Sequence, residues 1–313
     1  MNTTIHAPGC DDLAPELCVR QSQMKVLATS SLAHVWAQYI DPNRKPESTR
    51  QQELGTLVHA LTLEHNRFND AFRIAPDVNL TTLAGAQAML AWLTEQANDL
   101  MLPVPPSTGL KLQEMRASIT ALQELLAPHC TIVAASELAD ARRMHANLWG
   151  FPQIAAILSR PDIQTETRLL WRNESGAPCQ ATLDLFIPPS AELPTGLIVD
   201  LKSARSAQRD AFLKQAEQLC YHWQADHYRR GFAAVYGVMP PYVWVVVENT
   251  IPFCANLIQC GDLLCEYARI EYYPHLQAIS QALQTGVWPG YTYDPKPAEP
   301  SRWMMIRHER GDQ

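Results

Sequence analysis

Apolar residues recur along this chain with two different periods, and the change from one to the other divides it. Over 23–40 they return at helical spacing (Leu27, Leu32, Val35, Trp36, Tyr39), until Asp41, Pro42 and Asn43 stop the helix. A second helix turns Leu54, Val58 and Leu61 toward a core, with His59 one step round and Glu64 at its end, read as a solvated carboxylate. The polar stretch 43–52 between them carries three basic side chains and reads as a solvated connection or a flap touching phosphates. The pattern then predicts helices at 83–101, 110–126, 136–149 and 152–159, with Ser136 as an N-cap and a proline-rich connector at 102–108.

Beyond residue 160 the period shortens to two. Residues 165–171 and 179–187 read as strands, joined by a segment whose Asn173, Ser175, Gly176 and Pro178 are turn residues. A third apolar run, 196–202, ends in Asp200, Leu201 and Lys202, and a long helical stretch covers 207–230. Residues 242–248 are apolar almost without break, as in a central strand buried on both faces. An amphipathic helix over 261–286 would turn Leu263, Leu264, Tyr267, Ile270 and Leu276 inward. Residues 1–21 show no period and are expected to form an arm. The order predicts an α/β protein: a mixed sheet of about five strands, helices on both faces, and an added helical region over 81–160.

The chemistry-bearing residues lie in the strand region. Asp200 and Lys202 are two apart on a strand and so share a face. With Asp184 on the preceding strand they make two acids and a lysine, an arrangement that is costly unless a metal or an anion uses it. Carboxylates suit Mg²⁺, with Mn²⁺ as a substitute, and a metal there would activate water toward a phosphoryl group. Lys202 would serve as a point charge for that water or the phosphate. Glu166 could add a third carboxylate if its strand neighbours that of Asp184.

Asp184 followed by Asp200-Leu-Lys202 resembles the signature of the restriction-endonuclease-like, PD-(D/E)XK nucleases. Gln224 and Tyr228, four apart on one helix face, resemble the third motif of the RecB-type members, and Gly55-Thr-Leu-Val-His59 resembles their histidine-bearing helix. Tyr39 through Asn43, Phe68, Tyr221 through Gln224, and Val287 through Tyr291 are similar to the RecE (exodeoxyribonuclease VIII) exonuclease family. The resemblance covers roughly 22–304, which would be the nuclease domain, with 1–21 before it and 305–313 as a tail. It implies a restriction-endonuclease-like sheet flanked by helices and a 5′-to-3′ exonuclease on duplex DNA ends. Metal ligands would be His59, Glu166, Asp184 and Asp200, and catalytic residues Asp184, Asp200, Lys202, Gln224 and Tyr228. It further implies a homo-oligomeric ring and a single-strand annealing protein as partner, in phage or bacterial recombination. Thr182 and Leu183 precede Asp184 where that family usually has Arg-Pro.

Composition changes this picture in two places. The net charge of −7 is unexpected for a DNA binder, so positive charge must gather in a groove, or the chain is a non-catalytic subunit that retains the fold. Eight scattered cysteines include no Cys-x-x-Cys pair, and the spacings of Cys254, Cys260 and Cys265 do not match an iron–sulfur cluster. No signal peptide and no apolar run long enough to cross a membrane are found, which points to the cytoplasm. P-loop, Gly-rich phosphate cradle and Gly-x-Ser-x-Gly are absent from the sequence, so an ATP motor and the commonest hydrolase type are not expected.

Overall fold

The structure, a computed structural model, describes residues 3–44, 50–64, 68–104, 109–292, 298–300 and 302–309. Its elements are β1 (Thr4–His6), α1 (Gln21–Thr29), α2 (Leu32–Val35), α3 (Arg50–Leu63), α4 (Phe68–Ala71), β2 (Phe72–Ala75), α5 (Leu83–Asp99) and α6 (Leu112–Leu126). Then come β3 (Thr131–Ala134), α7 (Ala135–Gly150), α8 (Pro152–Leu158), β4 (Gln164–Arg172), β5 (Pro178–Ile187) and β6 (Leu197–Ala204). The chain ends with α9 (Arg209–Gln218), α10 (Tyr221–Tyr236), β7 (Tyr242–Glu248), β8 (Ala255–Cys260), α11 (Asp262–Thr285) and α12 (Arg302–Glu309).

β7 is the centre. Its residues alternate, Tyr242, Trp244 and Val246 joining one core and Val243, Val245 and Val247 the other, which accounts for the unbroken apolar run. The sheet is mixed, in the order β1-β4-β5-β6-β7-β8. β5 runs antiparallel to both β4 and β6, and β8 to β7, while β1 and β4 are parallel, as are β6 and β7, which are joined through α9 and α10. On one face Met24 of α1, Phe212 of α9, Trp223 and Phe232 of α10, and Tyr272 and Leu276 of α11 fill the core. On the other, Leu57 and Val58 of α3 pack with Met144 and Leu148 of α7 and Ile154 of α8. The expected α/β layering is present, with six strands in this sheet and a separate parallel pair, β2 and β3.

Several expectations need correction. Residues 3–21, expected within an arm, are built into the fold: β1 pairs with the edge of β4, Val19 bridges Cys179, and Cys10, Cys18 and Val19 are buried in the main core. Three-residue strands leave too little alternation to read. The helix expected over 23–40 breaks at Ser30, and α2 runs on into a π-helical turn, Trp36–Ile40. The helix expected over 207–230 is two, parted at Cys220, whose φ of +55° is left-handed. Ser136 does not cap α7; the N-cap is Ala134, whose N–H donates to Glu137 Oε2 at 3.0 Å. The region 81–160 is not one subdomain. α5 and α6 share a core of their own, whereas α7 and α8 belong to the sheet's second face. Residues 45–49 of the basic stretch 43–52 lie outside the described residues.

α11 is turned differently from the expectation. Cys265, Ala268, Tyr272, Leu276 and Ile279 are buried, while Leu263, Tyr267 and Ile270 face outward at 67%, 60% and 73% exposure. Among the described residues no helix is long and apolar enough to cross a membrane.

Candidate metal centre and catalytic site

The site forms where β5 and β6 part. Their ladder ends at the pair Leu185 and Val199, and the next positions along the two strands are Asp184 and Asp200. Beyond that point Leu201 N–H has no β5 carbonyl to meet, and Asp184 Oδ2 accepts it instead at 2.9 Å. β6 continues beside β7, with Asp200, Leu201 and Lys202 opposite Trp244, Val245 and Val246. On the other side of β5 the register sets Thr165 opposite Leu185 and Thr167 opposite Leu183, so Glu166 stands across from Asp184. Like charges directly opposed destabilise a sheet. Glu166 also adopts a left-handed φ of +49°, which non-glycine residues rarely do and which recurs at functional sites.

α3 brings the histidine. At Gly55 the helix comes so close to β6 that a Cβ there would sit 2.9 Å from Ser203 Oγ. One turn on, His59 Nε2 lies 3.4 Å from Glu166 Oε1 and 3.5 Å from Asp184 Oδ2. Its Nδ1 is 3.9 Å from Glu64 Oε1, just past the end of the helix. Burial alone would lower the His59 pKa, but Asp184, then Glu166 and Glu64, raise it to about 9. Burial would push Asp184 up, yet His59, with Lys202 and the Leu201 N–H, holds it below the usual carboxylate range. His59, Glu64, Glu166, Asp184, Lys202 and Tyr221 all line one open cleft of about 680 Å³.

Asp200 stands behind this wall. It is 1% exposed, its Oδ2 lies 2.5 Å from Lys202 Nζ, and its Oδ1 accepts Gln224 Nε2–H at 2.9 Å. Gln224 in turn bonds Tyr228, four residues along α10. Burial raises the Asp200 pKa to about 6, with Lys202 opposing and Asp184 adding. Lys202 remains charged: burial works against its proton, but Asp200 and Asp184 raise its pKa. Its ammonium also lies 4.9 Å from the centre of the Tyr221 ring.

The sequence-predicted residues thus fall into two groups. His59, Glu166, Asp184 and Lys202 meet in the cleft, whereas Asp200, Gln224 and Tyr228 form a hydrogen-bonded relay behind Lys202 and do not line it. Glu64, expected to be solvated, belongs to the front group: one ligand atom each from His59, Glu64 and Glu166 lie within 4.8 Å of one another. Its only signal in the sequence was its place five residues after His59, just past the end of that helix. Tyr221 was also missed as a cleft residue, because the break at Cys220 that turns it there is unmarked by Gly or Pro. Where the resemblance would set an arginine stands Thr182, and its cross-strand partner on β4 is Arg168. An imidazole with three carboxylates gathered in one cleft suits a divalent cation bound through oxygen and nitrogen. Asp200 already engages Lys202 and Gln224 through one contact at each oxygen, and a second lone pair on each oxygen is left with which to join such a set.

Comparison with known proteins bears on the fold and the family. No curated protein matches the chain. A crystal structure described as a "putative exonuclease" from Eubacterium rectale is similar over 93% of both chains, with a TM-score of 0.55 and 12% identity. That likeness is one of fold, and it spans the whole architecture described above. A family profile described as a PDDEXK-like domain of unknown function (DUF3799) matches residues 21–294, and the chain belongs to that PDDEXK-like family.

Proposed function

We propose that the protein is a metal-dependent exodeoxyribonuclease that hydrolyses phosphodiester bonds from duplex DNA ends, in the 5′-to-3′ direction. The observation that carries this reading is the convergence of His59, Glu64, Glu166, Asp184 and Lys202 on one open cleft. His59, Glu166, Asp184 and Asp200 would hold Mg²⁺ or Mn²⁺, with Glu64 added to the set. A bound divalent cation supplies Lewis acidity and an acidified water. Lys202, held by Asp200, presents positive charge to the attacking water or to the phosphate as charge builds on its oxygens. Gln224 and Tyr228 orient Asp200, and through it Lys202. In the reaction a water oxygen bonds to phosphorus, one ester P–O bond breaks, and the leaving oxygen takes up a proton.

Assembly into a homo-oligomeric ring and pairing with a single-strand annealing protein complete the proposal, placing the enzyme in phage or bacterial recombination. The outward apolar stripe Leu263, Tyr267 and Ile270 supports an assembly surface. The second reading is a non-catalytic DNA-end-binding subunit; Thr182 in the arginine's place and the engaged carboxylate of Asp200 favour it.

One experiment separates them: degradation of end-labelled linear duplex with Mg²⁺, wild type against Lys202→Ala, with closed circular DNA as control. Mg²⁺-dependent loss from the 5′ end, absent in the variant and on circles, supports the exonuclease. No cleavage by folded wild type with either Mg²⁺ or Mn²⁺ supports the binding subunit.

A further inference from the structure

A second cleft, of about 610 Å³, adjoins the metal cleft, and Ser203 and Tyr221 line both. Its charged lining is Lys25 of α1, Arg205 from the turn after β6, and Lys214 of α9. The rest of its polar lining includes Gln215, Gln218 and Asn249, and no carboxylate takes part. Among the described residues none of the three cations is held in an ion pair with a carboxylate. In a chain with seven more acidic than basic residues, three unneutralised cations gathered in one concavity repel one another. Such a gathering is stable in use when an extended anion lies across it.

The anion's identity follows from what the cleft opens into. At one end it meets the site read above as cutting phosphodiesters, and the junction carries an aromatic ring, Tyr221, on which a base can stack. Neutral amides beside the cations can contact sugars or base edges without selecting for charge. We propose that this second cleft is the track for the backbone of the strand being hydrolysed, with Lys25, Arg205 and Lys214 each neutralising a phosphate. The strand passes over Ser203 and Tyr221 into the metal cleft. This rests on the nuclease reading of the neighbouring site. It also gives the acidic chain the concentrated positive surface that nucleic-acid binding requires.

The test is fluorescence anisotropy of a labelled DNA oligonucleotide in EDTA, so that nothing is cut, titrated over NaCl. Wild type is compared with Lys25→Gln/Arg205→Gln/Lys214→Gln and with a control, Lys111→Gln/Arg142→Gln/Arg143→Gln, at the start of α6 and on α7. The track variant should bind at least about tenfold more weakly, and its slope of log affinity against log salt should shrink by about 2, as for three lost phosphate contacts. The control variant should match wild type in affinity and slope. Wild-type binding by the track variant, or an equal loss in the control, overturns the proposal, as does the absence of any binding by folded wild type. If the track variant melts early, the three single variants replace it, each expected to lose about a third of that slope change. Binding with this cation dependence, but without cleavage in Mg²⁺, would retain the track and remove the nuclease reading.

Discussion

Asp200 and Lys202 form a buried pair whose members need each other. Removing one partner of such a pair leaves a charge in a medium that solvates it poorly, at a cost of about 3 kcal/mol. Lys202→Met should therefore lower stability by about that amount in urea titration, and Asp200→Asn/Lys202→Met should recover most of it. Neither variant should recover activity: loss of the lysine's charge should reduce turnover on duplex DNA by about 10²–10³-fold. A second residue sets an acid limit. His227 is 1% exposed, its Nε2–H donates to the Gln180 carbonyl, and burial lowers its pKa to about 4 from the usual 6.5. The unfolded chain thus takes up this proton first as pH falls. The neutral form's contribution is intact above 6.5 and is lost on the way down to 4, about 3 kcal/mol in all at about 1.4 kcal/mol per unit. His227→Gln, which cannot titrate, should lose correspondingly less stability between pH 7 and pH 4 in urea unfolding. At this scale the sequence was readable where strand parity applies, as for Asp200 and Lys202. It was not readable for Glu64, whose meaning depends on how far α3 reaches over the sheet.

Between elements, two glycines set distances. A Cβ on Gly231 would come within 2.6 Å of the Trp171 ring, so α10 lies against β4 with no room for a methyl group. Gly231→Ala should destabilise by about 1–3 kcal/mol, read as a lowered melting temperature, because neither the ring nor the helix can yield cheaply. Gly55 holds α3 against β6 in the same way, but its neighbour is the end of a serine side chain. There Gly55→Ala should be tolerated, while Gly55→Leu should move His59 off the carboxylates and weaken Mn²⁺ binding about 10–100-fold by calorimetry. α11 shows why periodicity can mislead at this level. It is apolar on more than one side, so a count of apolar positions cannot choose its inner face. Cys265 and Ala268 are buried because small side chains allow close approach to α10, and Leu263, Tyr267 and Ile270 are left outside.

The whole molecule is built from three cores: one on each face of the sheet, and a third holding only α5, α6 and the segments around them. A unit with its own core and few shared side chains can open by itself. In native-state hydrogen exchange, amides of α5 and α6 should share an opening free energy below that of β5, β6 and β7. Exchange of all of them through one global step would show instead that the helical pair is integral to the sheet. Charge is also a property of this scale. The excess of acids argued against nucleic acid when counted over the chain, but the fold gathers Lys25, Arg205 and Lys214 on one concave surface.

By itself the sequence determined the α/β class, the strand buried on both faces, the hairpin of β4 and β5, and that Asp200 and Lys202 share one face of a strand. Each of these rests on short-range periodicity, turn chemistry or strand parity, all of which are local. Only the tertiary structure decided that β1 closes the sheet edge, that Glu166 faces Asp184 across the ladder, and that Glu64 joins His59 in the cleft. It likewise decided that Asp200 lies behind Lys202 and that the scattered cations meet. These depend on register and on the approach of helix to strand, quantities fixed by packing between residues far apart in the chain.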